Sequence, residues 1–478
     1  MSSFSKSSEL TRPTGWTLAC YVYALAVAAA VGYFLLGIPI QLTDSYGNLV
    51  QVSDTSLASL VYREFYQRAF LRPLLWAHVH IVYTLADGHY FEWFRGWHLA
   101  QLTLLAMLFV RLLRPRTLAD AAALPIGLAA LVGIHTFAGT VREAFPINTF
   151  MTILLCCFTA ADLALGPPRW WRTALAWVLF IFAALTVESG LLVGVVFVAA
   201  YAAGARGVSW RGIAGVMVLA AGYFTLRFAY LHIGAPDLVE RSSGFGFSYV
   251  DPAALAARFG ANPFLFYAYN VMASIGSVLL SEPRGGIFAV TREIAGGEWP
   301  RAGLLNMVAS LLGTALIAGC VWRRRHEWLQ RRFDRGDQLT VIFVAVMLAN
   351  AAISYAYTKD VIMSPAGAFY AVALAVATRS VIEAAPRTTL IGSAAVAVLL
   401  LGVSSAWAMR AVGLEAGLRY SALAVRNEWV YADGWAVEQR IPVTPAAVRL
   451  KEQLQGDAIR RHPAPPALTG EWLEWIDE

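Results

Sequence analysis

Six ionisable residues carry the strongest chemical signal in this sequence: Asp44, Asp54, Arg72, Glu143, Glu188 and Lys359. Each stands near the edge of a long apolar run, where a charge is costly to keep and tends to mark function. Arg72 opens the element Arg72-Pro73-Leu74. Pro73 suits the first turn of a helix, which would put Arg72 at the helix N-terminus. A guanidinium there can clamp a phosphate through parallel N–H donors or anchor to a lipid headgroup. Glu188 lies in Val187-Glu188-Ser189-Gly190 with no cation beside it in sequence. It reads either as a site carboxylate or as an N-cap-like residue for the next helix. Glu143 follows Arg142, and Lys359 precedes Asp360, so each can equally form a plain loop ion pair.

The elements that must position these groups are membrane helices. In the 478 residues, apolar types make up 58% and charged types 14%, against about a quarter charged in soluble domains. The apolar residues come in unbroken runs rather than alternation, which excludes a soluble enzyme, a disordered regulator and an outer-membrane barrel. Eleven runs approach the roughly 20 residues a span requires: about 16–38, 91–112, 119–138, 147–166, 171–187, 190–205, 210–233, 302–322, 338–357, 363–383 and 389–409. The expected fold class is therefore an all-α polytopic membrane protein.

The net charge of +6 is topological rather than a nucleic-acid footprint. Arg111, Arg114 and Arg116 follow the second span, Arg169 and Arg172 the fourth, Arg206 and Arg211 the sixth, Arg323 to Arg335 the eighth, and Arg387 the tenth. A cytoplasmic N-terminus puts all five clusters inside and the C-terminus outside. The six site candidates then share the outer side. Segment 262–281 is apolar enough to span, but counting it would invert the 323–335 cluster. It is read as a re-entrant or interfacial helix in an outer loop, 234–301. The remaining divisions are a core over 1–233 with outer loop 39–90, C-terminal spans over 302–409, and an outer soluble tail over 410–478. Residues 70–85 read as an amphipathic interfacial helix. The first apolar run reads as a retained helix rather than a cleaved leader. Cys20, Cys156, Cys157 and Cys320 all lie within apolar runs, which leaves no extramembrane disulfide or zinc cluster. Arginine far outnumbers the three lysines, a bias that hints at a GC-rich bacterial genome and hence a bacterial inner membrane with a periplasmic outer side.

An ordered set of motifs resembles the GT-C superfamily of membrane glycosyltransferases, above all the protein O-mannosyltransferase branch and its bacterial relatives. The set comprises Asp44 in Thr43-Asp44-Ser45-Tyr46, Arg72-Pro73-Leu74, His98 in Trp97-His98-Leu99, His135 and Glu143, and Val187-Glu188-Ser189-Gly190. It covers about residues 16–205. The chain departs from the family in having Ser45 where a second acid is common, a longer His135–Glu143 spacing, and Val187 in place of Lys. The resemblance implies inverting transfer of a sugar from a polyprenyl-phosphate donor at the outer face, to a glycan, lipid or protein acceptor. It implies Asp44 as general base with Asp54 in reserve, and Arg72 on the donor phosphate with Lys359 assisting. His98, His135, Glu143 and Glu188 would hold sugar or acceptor, or act structurally. No metal or other cofactor is required when Arg and Lys carry that charge, although Asp44 and Asp54 could hold Mg²⁺ or Mn²⁺ through oxygen ligands. A lipid-linked sugar flippase or transporter, a degenerate GT-C-like protein, and a polysaccharide polymerase or ligase are the rival expectations.

Overall fold

The computed structural model describes residues 15–42, 45–66, 70–142, 149–232, 242–244, 247–250, 252–260, 263–281, 286–385 and 390–463. In chain order the helices are α1 (Gly15–Leu35), α2 (Ser45–Asp54), α3 (Leu57–Arg63), α4 (Pro73–Ala86), α5 (Tyr90–Leu113), α6 (Leu118–Gly133), α7 (His135–Arg142), α8 (Thr149–Ala164), α9 (Trp170–Ala184), α10 (Leu192–Ala202) and α11 (Trp210–Phe224). They continue with α12 (Pro252–Phe259), α13 (Phe264–Leu279), α14 (Ile287–Ala295), α15 (Arg301–Arg323), α16 (Arg325–Leu329), α17 (Arg335–Ile353), α18 (Ser364–Ala384), α19 (Leu390–Val430), α20 (Ala432–Glu438) and α21 (Pro445–Arg461). Tight turns at Glu188–Leu191 and Asp360–Met363 lead into α10 and α18. A two-stranded antiparallel hairpin, Ser242–Gly244 with Phe247–Val250, interrupts the helical pattern inside loop 234–301.

Among the described residues seven helices are long and apolar enough to cross a membrane, and an eighth counts if α6 and α7, bent by 66° at their junction, form one span. Three more expected spans fall on apolar helices of 10–17 residues: α8, α9, and Glu188–Ala202. The expected interfacial and re-entrant segments are helices α4 and α13 of that same shorter class. The boundary expected near residue 410 falls inside α19, a continuous helix of 41 residues. At 1.5 Å per residue it is about 60 Å long, far more than a bilayer needs.

Burial separates the interior of the bundle from its surface. Over an 18-residue stretch of the span Asp360–Ala384, 89% of the residues are buried, whereas the corresponding apolar stretches of α1, α11, α15 and α19 bury only 22–28% and present Leu18, Val218 and Leu401 outward. Such faces are costly in water and at home against lipid tails. Close approach depends on small residues, as membrane helix packing requires. Ala24, Ala28 and Gly32 line the buried face of α1, and a methyl group added at Gly32 would collide with Leu99 of α5. On α18, Ala375 packs against Gly127, and Gly367 admits Thr136.

The two ends differ. At one end the arginine-rich connections meet: Arg335 donates to the carbonyls of Leu112 (3.1 Å) and Leu165 (3.0 Å), and Gln338 to that of Ala203 (3.2 Å). Arg111 pairs with Asp162 at 2.9 Å, Arg379 with Asp120 at 3.0 Å, and Arg324 with Asp334 and Asp337, both at 2.7 Å. At the other end the tail folds onto the first long loop. Trp429 donates to the Ile40 carbonyl (2.7 Å), Tyr46 to that of Ala447 (2.9 Å), and His462 to that of Gly37 (2.7 Å). Arg461 lies over the Phe91 ring and pairs with Glu92 at 3.0 Å.

Candidate functional site

Arg72 is locked by its backbone before its side chain does anything. Its own N–H donates to Glu64 Oε2 at 3.1 Å, Pro73 takes the first helical position of α4, and the next free amide, on Leu74, donates to the Leu185 carbonyl at 3.1 Å. That last bond pins the start of α4 to the end of α9. The chain then reverses through Val187 into the Glu188–Leu191 turn, which brings Glu188 up against Arg72. The turn needs Gly190, because a methyl group there would collide with the Ala183 carbonyl. Gly190→Ala is therefore expected to lower stability by about 1–3 kcal/mol, the usual cost of overpacking. Denaturant unfolding in detergent measures it, and an unchanged midpoint would mean the turn does not depend on this close approach.

The side chains form a compact ionic cluster. Arg72 donates to Glu188 Oε2 through both Nε (3.0 Å) and Nη2 (2.6 Å), while Arg227 donates through Nη1 to Glu188 Oε1 at 3.1 Å. The same Arg227 nitrogen donates to the Tyr223 hydroxyl at 2.9 Å. Burial pushes the Glu188 carboxyl up, but the two guanidinium groups outweigh it and hold its pKa below the ordinary value. The neighbouring Glu64 shifts the other way: burial raises it more than its bonds to the Arg72 backbone and to Trp76 lower it. Arg227 sits in a π-helical turn, Thr225–Tyr230, which ends α11. Such turns recur at functional sites. The cluster is open on one side, with Arg72 27% and Glu188 21% exposed and Arg227 only 5%. Tyr62 and Tyr66, hydrogen-bonded to each other at 2.6 Å, and Tyr230 and Phe228 are exposed in the same segments.

The break between α6 and α7 organises a second group. Arg410 of α19, 5% exposed, donates to the Gly133 carbonyl freed by the break (3.1 Å) and to Ser310 Oγ (2.9 Å). Its Nη2 lies 3.5 Å from His135 Nδ1, and His135 Nε2 is 3.9 Å from Asp360 Oδ1. Lys359 precedes that turn, with its ammonium over the Tyr357 ring.

The other expected residues are distributed as follows. Asp44 and Glu143 lie outside the described residues. Asp54 ends α2, is exposed, and accepts from Thr444 (3.1 Å) and Ser53 (3.4 Å). It therefore faces the tail and is no member of the Arg72 cluster. His98 is 2% exposed in α5 beside Arg95, which donates to the carbonyls of Ile38 and Pro39, each at 2.8 Å. Arg95 thereby anchors the start of the first long loop. Arg227, Glu64 and Arg410 were not singled out in the sequence. The available signal for Arg227 was an arginine deep in the run 210–233, far from the terminal Arg211.

Among the described residues no group of three or more His, Cys, Asp or Glu is gathered that could hold a metal. Fold and surface define the class: a helical membrane protein with a charged cluster at one end of its bundle. No protein-family profile matches the chain, and no curated protein matches it.

Proposed function

We propose that this protein is a GT-C-type glycosyltransferase of eleven spans that uses a polyprenyl-phosphate sugar at the outer, periplasmic face of a bacterial inner membrane. One observation carries the reading. Arg72 and Arg227 are brought from segments 155 residues apart to a single part-exposed carboxylate, at the end of the bundle away from the arginine-rich connections. Two fixed guanidinium groups suit a phosphate that must be held while it leaves. The flanking exposed tyrosines suit a sugar or an isoprenoid chain.

In this mechanism the acceptor hydroxyl attacks the anomeric carbon of the donor and its proton passes to Asp44. The bond from that carbon to the phosphate oxygen breaks with inversion, and the lipid phosphate departs paired to Arg72. Lys359 would assist, whereas Asp54, which faces Thr444 of the tail and stands apart from the Arg72 cluster, is not given the role of base. The acceptor is a glycan, lipid or protein.

One observation favours a second reading, a lipid-linked sugar flippase. The bent α6–α7 pair carries His135 beside Arg410 and Asp360, and broken helices with ionisable residues are a transporter signature. The deciding experiment offers the purified protein a panel of labelled polyprenyl-phosphate sugars. Sugar transfer that disappears in Asp44→Asn supports the transferase, whereas donor movement across a vesicle without turnover overturns it in favour of the flippase.

A further inference from the structure

We propose that Glu188 sets the charge of the ligand this cluster accepts, so that it selects a phosphodiester, with one negative charge, over a phosphomonoester or pyrophosphate with two or more. The inference rests on the phosphate-binding reading above and deepens it.

The argument is a charge count on fixed groups. Arg72 and Arg227 contribute two positive charges, and Glu188, in contact with both, removes one. Next to them Arg63 and Glu64 contribute one of each sign and cancel, and Lys359, at the start of the turn into α18, is followed directly by Asp360, which balances it. The described cluster therefore carries one net positive charge, which a single phosphodiester charge neutralises.

A dianion is drawn to the same guanidinium groups, but it must also lie beside Glu188 and leaves one negative charge unbalanced. In this partly buried place between apolar helices, desolvating the second charge has no partner to offset it. Glu188 cannot simply swing aside, because its two oxygens take three N–H donors and its backbone is held in the turn behind Gly190. The donors left for a ligand are defined as well. Among the described residues Arg72 Nη1 has no acceptor, and it belongs to the part-exposed Arg72 side chain. A ligand can thus be held without displacing Glu188, which stays in place as the counter-charge.

The test separates charge from sugar recognition by using farnesyl phosphate and its methyl ester as ligands for the full chain in detergent. At pH 8 the monoester carries close to two charges, its second pKa being about 6, and the methyl ester carries one. The wild-type protein is expected to bind the methyl ester about tenfold tighter at pH 8, with the gap closing at pH 5 as the monoester loses its second charge. Glu188→Gln, which keeps the shape and an acceptor oxygen, is expected to reverse the preference at pH 8. Equal or tighter binding of the monoester by the wild type at pH 8 overturns the proposal, as does an unchanged preference in folded Glu188→Gln. If that variant does not fold, the wild-type pH series decides alone. Failure of the wild type to bind either ligand instead sinks the phosphate reading of the cluster, and this inference with it.

Discussion

Arg72→Ala is expected to lower sugar transfer by about 10²–10³-fold while leaving the protein folded. The magnitude is that of removing one preorganised donor from a developing anion. The fold should survive because the other half of the cluster stands without Arg72: Glu188 keeps its bond to Arg227 at 3.1 Å, and Arg227 keeps the Tyr223 hydroxyl at 2.9 Å. The backbone bonds at residues 72 and 74 do not involve the lost side chain. Arg72→Lys is expected to recover only part of the activity, since an ammonium offers a point charge and not a planar fork. Steady-state transfer with a fixed polyprenyl-phosphate sugar, alongside a melting curve for each variant, checks this. Full activity in folded Arg72→Ala would remove Arg72 from the donor site.

Removing Glu188 should do the opposite, and harm the fold itself. Arg227 is 5% exposed, and Glu188 is its only carboxylate among the described residues. Glu188→Ala is therefore expected to cost about 3–5 kcal/mol, the usual penalty for stranding one member of a buried pair. Replacing both groups, as Glu188→Met with Arg227→Met, should return much of that stability while leaving no anion site. The pair also has a pH signature. Because the folded-state pKa of Glu188 lies below its unfolded value, the full contribution is present above about pH 4.3 and is lost as the pH falls through the lower, folded value. Unfolding midpoints of the three proteins at pH 7 and pH 4 test both points. A Glu188→Ala protein as stable as wild type at pH 7 would show that Arg227 finds other compensation.

The contrast between these variants reflects how the site is built. Arg72 sits at a junction accessible to solvent and can be spared by the fold. Glu188 and Arg227 are part of the packing, joining the α9–α10 reversal to the end of α11. Function and stability are thus carried by adjacent members of one ionic cluster.

Much of this architecture was legible in the residues themselves. A run of apolar side chains about 20 long is helical for a local reason: in lipid the backbone must satisfy its own hydrogen bonds. Over the described residues, each of the eleven expected segments is mostly helical. Pro73 likewise marked the start of α4 through local geometry alone, because its fixed φ and missing N–H fit only the first turn. The arginine pattern announced which connections share an end, and bonds such as Arg335 to Leu112 and Leu165 join them there. Arg72 and Glu188 stood out because a charge beside hydrocarbon has a cost that any sequence must justify.

What residue spacing could not determine is which charges meet. Glu188 has no cation near it in the chain, and its two partners lie 116 and 39 residues away. Pairing of that kind depends on how α4, α9 and α11 pack, which is decided by small residues such as Gly190 and by hydrogen bonds such as Leu74 to Leu185. The same holds for Asp54, which the family resemblance made a reserve base and which the folded tail engages through Thr444, 390 residues further on. Local hydrophobicity and backbone chemistry act over a few residues and determine the helices. Ionic partners are chosen by the three-dimensional packing of those helices, and only the tertiary structure decided them here.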